Sequence, residues 1–270
     1  MTIVTQVVDR SRASAGRLVA HEFRADLRSY VRNRETVFWT VAMPILFILI
    51  FGSVFQHQSV IVSGGQIDEA IYYVPEIIAF GLIASTFSNV VVSVVRYREG
   101  GIYKRRRATP VSAQVIIAGR ALVAALSALA ITGVLLAIGW LAFGAQVPAR
   151  TGAAFLVDVV VGAIVFCCLG FAVASLVRNV ESAQPIALAT ILSLAMISGI
   201  FIPIGELPTW IVNVSRVFPV RALSDALLSA FNPHTAGGGF NLVDLAILGA
   251  WGAAAVLVAV RRFHWMPRGR

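Results

Sequence analysis

Six long apolar runs dominate the chain, at residues 37–55, 74–95, 115–143, 152–177, 183–203 and 241–260. A helix rising about 1.5 Å per residue crosses a hydrocarbon layer of about 30 Å in some 20 residues, so each run is long enough to span a membrane. The third exceeds that need and should tilt or extend beyond the bilayer. Two segments show a different pattern. Over 17–34, Val19, Phe23, Leu27 and Tyr30 or Val31 recur at helical spacing, while Arg17, Glu22, Arg24, Asp26, Arg28 and Arg32 fill the other face. That pattern predicts a helix lying along a membrane surface. Over 204–231, Trp210, Ile211, Val214 and Phe218 share one helical face, and Leu223, Leu227 and Phe231 share another after the break at Pro219. Each half is too short to span. Two short helices lying on, or dipping into, one leaflet are expected, with Trp210 at the interface. The predicted fold class is an all-α membrane protein: an N-terminal segment 1–36 with its amphipathic helix, a transmembrane domain 37–260 and a tail 261–270.

Composition agrees. Charged residues make up 13% of the 270 and hydrophobic ones 58%, against roughly 25% charged in soluble domains. That leaves too little polar surface to coat a water-soluble body. The 22 basic side chains are also unevenly placed. With the N-terminus in the cytosol, nineteen fall on inner segments and only Arg150, Arg216 and Arg221 lie outside. Arg120, one turn into the third run, is counted as snorkelling to the inner side. The positive-inside rule then places both termini in the cytoplasm and 204–231 on the outer side. Residues 1–36 are charged throughout, so no cleavable signal peptide is expected. Cys167 and Cys168 are adjacent inside an apolar run and read as packing residues. The four His are scattered, with no i, i+4 pair, so no metal site is expected.

The most basic stretch, YREGGIYKRRRATPVS at 97–112, holds five of the 22 basic residues. Alone it could pass for a nucleic-acid patch. In this topology it belongs to the first inner loop, 96–114, and no nucleic-acid partner is expected. The second inner loop, RNVE at 178–181, is a bare turn. Gly100 and Gly101 let the chain leave a membrane helix at a sharp angle. Pro110 stops the short helix that Ile102 to Thr109 can form. A topology anchor needs none of this punctuation, whereas a charged helix projecting from a bundle suits docking to a soluble protein. Uphill transport also needs an energy source. The single lysine, Lys104, follows Tyr103, so GxxxxGK[ST] cannot occur. HExxH, GxSxG and paired intramembrane carboxylates are absent too. No catalytic residue and no cofactor is assigned to this chain, and any driving ATPase would be a separate chain.

The run Arg98-Glu99-Gly100-Gly101-Ile102-Tyr103-Lys104-Arg105-Arg106-Arg107-Ala108-Thr109-Pro110 resembles the RE-x-GT-L-K-R-LR-x-(T/S)-P run that follows the second span of ABC-2 type permeases. Ser198-Gly199-Ile200-Phe201-Ile202-Pro203, Leu207-Pro208-Thr209-Trp210 and Phe218-Pro219 resemble the SGxFxP, LPxW and FP pattern after their fifth. Six spans, the surface helix and the two outer helices extend the resemblance along nearly the whole chain. It is most similar to the drug and antibiotic exporters of the daunorubicin-permease type, with Ile102, Tyr103 and Arg106 in place of a small hydroxyl residue and leucines. The resemblance implies a plasma-membrane protein, in bacteria the inner membrane. It pairs with a second permease, identical or related, and sits on two ATPase subunits that carry the ATP and Mg. It further implies that 97–112 is the helix seated in the ATPase, with Arg98, Glu99, Gly100, Gly101, Tyr103, Lys104, Arg105, Arg106, Arg107 and Pro110 as its coupling residues. Motor closure would then tilt the second span.

Candidate pathway residues come from the spans. Ser85, Ser88 or Asn89, and Ser93 share a face of the second span with Gly81. Small polar residues there serve close helix packing or substrate contact. Thr190 and Ser193 are the candidates on the fifth span. Glu76 and Asp158 lie towards the outer ends of theirs. Glu76 is expected to be solvated. Asp158, roughly 9 Å into its span, is expected to pair or to line the pathway. The leading function is export of an amphipathic drug or lipid-like molecule across a lipid membrane. Export of a lipid-linked polysaccharide, an ion-coupled carrier and a non-transporting scaffold are the alternatives.

Overall fold

The computed structural model describes residues 15–55, 59–62, 65–101, 113–145, 149–235 and 237–262. The chain runs α1 (Ala15–Arg32), α2 (Arg34–Val54), β1 (Ser59–Val62), β2 (Gly65–Asp68), α3 (Glu69–Ile83), a π-helical turn (Ala84–Ser88) and α4 (Asn89–Glu99). It continues through α5 (Ala113–Phe143), α6 (Gly152–Leu176), α7 (Val180–Ile197), α8 (Thr209–Ser215), α9 (Pro219–Phe231) and α10 (Leu242–Arg262). Six helical stretches among the described residues are long and apolar enough to cross a membrane: Arg34–Val54, Ile71–Glu99, Ile117–Phe143, Gly152–Leu176, Val180–Ile197 and Leu242–Arg262. They overlap the six apolar runs, the fifth helix starting at Val180 and ending at Ile197, ahead of the run's end at 203. The chain is an all-α, multi-pass membrane protein. Among the described residues, one addition to that pattern is the antiparallel hairpin β1–β2, paired Ser59 to Asp68 through Val62 to Gly65. Four-residue strands are too short for alternation to announce them.

The second span, α3 through α4, is the axis of the bundle. Its most apolar window is 72% buried, against 17% for the first and sixth spans. Val74, Ile77, Ile78, Leu82, Val91, Val94 and Val95 are all fully enclosed. The apolar faces of α2 and α10 point outward instead, with Phe38, Trp39 and Ile50 on one and Leu257 and Val260 on the other exposed. Side chains of this kind suit a hydrocarbon solvent. Mid-span, Ser85 and Thr86 bond back to the Leu82 carbonyl at 3.0 and 2.7 Å within the π-helical turn. Such turns recur at functional sites because the extra residue re-aims the faces on either side.

Small residues set the helix spacings. At Gly170 of α6, an added Cβ would sit 2.9 Å from Val90 Cβ and 3.0 Å from the Phe87 carbonyl oxygen on the axis helix. Gly170→Val is therefore expected to force α6 away from α4, at an overpacking cost on the order of 1–3 kcal/mol. A lower melting temperature of the detergent-purified chain checks this, and an unchanged one would show that the contact is slack.

α1 does not lie on its apolar side alone. Glu22 and Asp26, assigned by periodicity to the polar face, are buried at 8% and 3% exposure, while Val31 is exposed. The cause is α5. Gly119 lets the α1 backbone come close, since a Cβ added there would fall 2.9 Å from Glu22 Cβ. Arg120, at the next position, meets Asp26 at 3.3 Å. Arg120, expected to snorkel to water, is instead enclosed by Asp26 and by the Tyr97 ring 4.5 Å from its guanidinium carbon. At the opposite end, the break at Pro219 falls where expected, and Leu223, Leu227 and Phe231 form the buried face of α9. Trp210 on α8 is 68% exposed.

Candidate functional site

Two polar assemblies lie at opposite ends of the bundle. The first surrounds the end of α4, where the basic loop begins. Tyr103, Lys104, Arg105, Arg106, Arg107 and Pro110 lie outside the described residues; Arg98, Glu99, Gly100 and Gly101 are inside them. Gly100 caps α4 through the Arg96 carbonyl, and Gly101 takes φ +66°, the left-handed conformation glycine adopts without strain. Glu99 and Gly100 are exposed, as a docking surface requires.

Arg98 departs from expectation. Placed by sequence among the ATPase-facing residues, it is 1% exposed and turned into the bundle. Its guanidinium donates to the carbonyls of Ala174 at 3.1 Å and Arg178 at 3.2 Å, and to that of Val177. These are the carbonyls at the end of α6 and in the α6–α7 turn, which have no partner within their own helix. A cation there also meets the negative end of the helix dipole. On the other side of the same helix end, the Tyr97 hydroxyl lies 3.1 Å from Ser29 of α1, and its ring underlies Arg120 of α5. Consecutive residues thus tie the last turn of α4 to α1, α5, the end of α6 and the α6–α7 turn.

Beside this joint is a polar cleft of roughly 660 Å³, counted with its mouth. Ser85, Asn89 and Ser93 line it as the sequence suggested, joined by Tyr30, Asn33 and Ser127 from α1, the α1–α2 link and α5. Burial holds the Tyr30 phenol above its ordinary pKa, opposed by hydrogen bonding to Asn89 and Thr40. Ser88 does not line the cleft. Thr190 and Ser193 are not brought to it either: Ser193 is exposed on α7, and the Thr190 hydroxyl bonds to the Ile186 carbonyl at 2.8 Å.

The second assembly is at the end carrying β1 and β2. Glu76 is not solvated there. It is fully enclosed and accepts a hydrogen bond from Ser224 of α9 at 2.5 Å, with Oε1 unpartnered among the described residues. Asp158 is likewise enclosed, and neither carboxylate oxygen has a hydrogen-bond partner there. Sequence reasoning passed over Asp244, 8% exposed in the first turn of α10 with Oδ2 unpartnered. The signal was present, an acid just inside the sixth apolar run. The packing of α6 on α10 explains the pairing of levels. A Cβ at Gly252 would lie 3.2 Å from Val165 Cγ2, and stepping back about two turns on each helix arrives at Asp158 and Asp244. The two acids are near enough to feel one another's charge, and Asp225 and Arg221 share that field. Arg221 and Asp225 pair at 2.5 Å.

No curated protein matches the chain. A family model described as ABC-2 type transporter matches residues 18–232, from α1 to just past α9, and so takes in the axis helix, the Arg98 joint and the cleft. The chain belongs to the ABC-2 type transporter family, as a membrane-spanning permease domain of an ABC transporter rather than its ATPase.

Proposed function

We propose that this chain is the permease subunit of an ATP-driven exporter, moving an amphipathic drug or lipid-like molecule outward. ATP and Mg are held by separate nucleotide-binding subunits seated on the 97–112 loop, and a second permease, identical or related, completes the pathway. The α1 end is the cytoplasmic one, in keeping with the clustering of basic residues there. The observation that carries the reading is the two-sided fastening of α4. The loop leaves a helix whose last turn is held through Tyr97 and Arg98 to α1, α5, the end of α6 and the α6–α7 turn, so force on the loop passes to the bundle. Ser85, Asn89 and Ser93 then line an intake cleft at the cytoplasmic face, under the moving helix.

Co-expression with the partner ATPase tests this. The complex is expected to copurify and to lose most of its ATPase activity when Arg105, Arg106 and Arg107 all become alanine. Full-rate hydrolysis after that change would take the coupling role away from the loop. The enclosed acids Glu76, Asp158 and Asp244 favour one other reading, an ion-coupled carrier. Uphill transport by the permease in vesicles without ATPase or ATP would select that reading instead.

A further inference from the structure

We infer that the cavity between α9 and α10 binds an amphipathic organic cation, with the Asp244 carboxylate accepting its ammonium group. The cavity, roughly 1350 Å³ counted with its mouth, opens at the hairpin end of the bundle. Its charged wall carries Arg216, Arg221, Asp225 and Asp244. Arg221 is already engaged, with Asp225 at 2.5 Å and the Ser198 carbonyl at 3.3 Å. Asp244 is only 8% exposed, and its buried Oδ2 has no hydrogen-bond partner among the described residues. Behind it lies the enclosed Asp158, neither of whose carboxylate oxygens has a hydrogen-bond partner among the described residues. A buried carboxylate with no partner carries a large desolvation penalty. At the wall of an open cavity, a cation arriving from outside relieves it.

The rest of the cavity specifies what that cation is attached to. Leu228, Val243 and Ile247 give it an apolar side, which does nothing for a hydrated inorganic ion but accommodates a hydrocarbon body. Nor do three acidic, His or Cys side chains converge anywhere among the described residues in a way that could hold a metal ion. An ammonium joined to an apolar chain or ring satisfies both walls. The site deepens the exporter reading, on which its role as a substrate station rests, by naming a substrate class. Binding itself requires no ATPase, so its failure leaves that reading standing.

The test is equilibrium binding of decylammonium and of decan-1-ol to the permease in dodecyl maltoside, read by tryptophan fluorescence. Trp251 is the reporter, since its indole N–H donates to the Val217 carbonyl at 2.7 Å, next to Arg216. Decylammonium is expected to bind about tenfold more tightly than decanol, or better. Asp244→Asn should bring the two within about twofold. Val243→Lys, which tethers an ammonium in the cavity, should abolish decylammonium binding and guards against a misfolded Asn variant. Equal affinities for the two probes in the unaltered protein, or decylammonium binding unchanged by both substitutions, would overturn the site.

Discussion

With Arg98 exchanged for methionine, the assembled transporter continues to hydrolyse ATP while transport falls about tenfold or more. Methionine retains an apolar stem of similar reach in the enclosed slot but donates no hydrogen bond. The carbonyls of Ala174, Val177 and Arg178 lose a shared charged donor. Hydrogen bonds to charged groups contribute about 1.5–3 kcal/mol each, and a buried acceptor left unmet costs about 1–3 kcal/mol. The α6–α7 turn then comes loose from α4, while the loop and its basic cluster are untouched. Amide hydrogen exchange separates this from general damage. Protection should fall at 174–180 and stay unchanged along α5 and α10. An Arg98→Met complex with normal transport per ATP would remove the joint from the transmission path, whatever its stability.

Asp26→Ala is expected to be nearly as severe, for a different reason. Asp26 and Arg120 are 3% and 10% exposed at their side chains and meet at 3.3 Å. Removing one member of a buried pair strands the other charge, which costs about 3–5 kcal/mol, whereas replacing both by apolar groups can be neutral. The double change Asp26→Leu with Arg120→Leu should therefore recover most of the melting temperature that Asp26→Ala loses. A double variant no more stable than the single one would mean that α1 is held to α5 chiefly by Phe23 and Leu27. The same comparison shows whether transport needs the charge pair itself or only α1 in its place.

How much of the site was legible varies by residue. Ser85, Asn89 and Ser93 recur at helical spacing on an otherwise apolar span, and the cleft they line is on that face. Thr190 and Ser193 on the fifth span do not line that cleft, and Ser193 is exposed. Periodicity identifies a face without identifying its neighbour. Arg98 misled for a related reason. Next to a run of exposed basic residues it looked like one of them, and only the end of a helix 76 residues later gives it an inward target. Glu76 was judged by depth along its span, and the helix that covers it, α9, comes from residues 219–231.

The amino-acid sequence alone determined the number and place of the spans, the break at Pro219 and the lack of a P-loop motif. Those follow from run length against bilayer thickness and from local chain chemistry, which need no knowledge of partners. Only the tertiary structure decided which polar groups are enclosed. Asp26 with Arg120 and Glu76 with Ser224 each join residues more than 90 positions apart. Burial and pairing are properties of two surfaces in contact, and one strand of sequence describes only one of them.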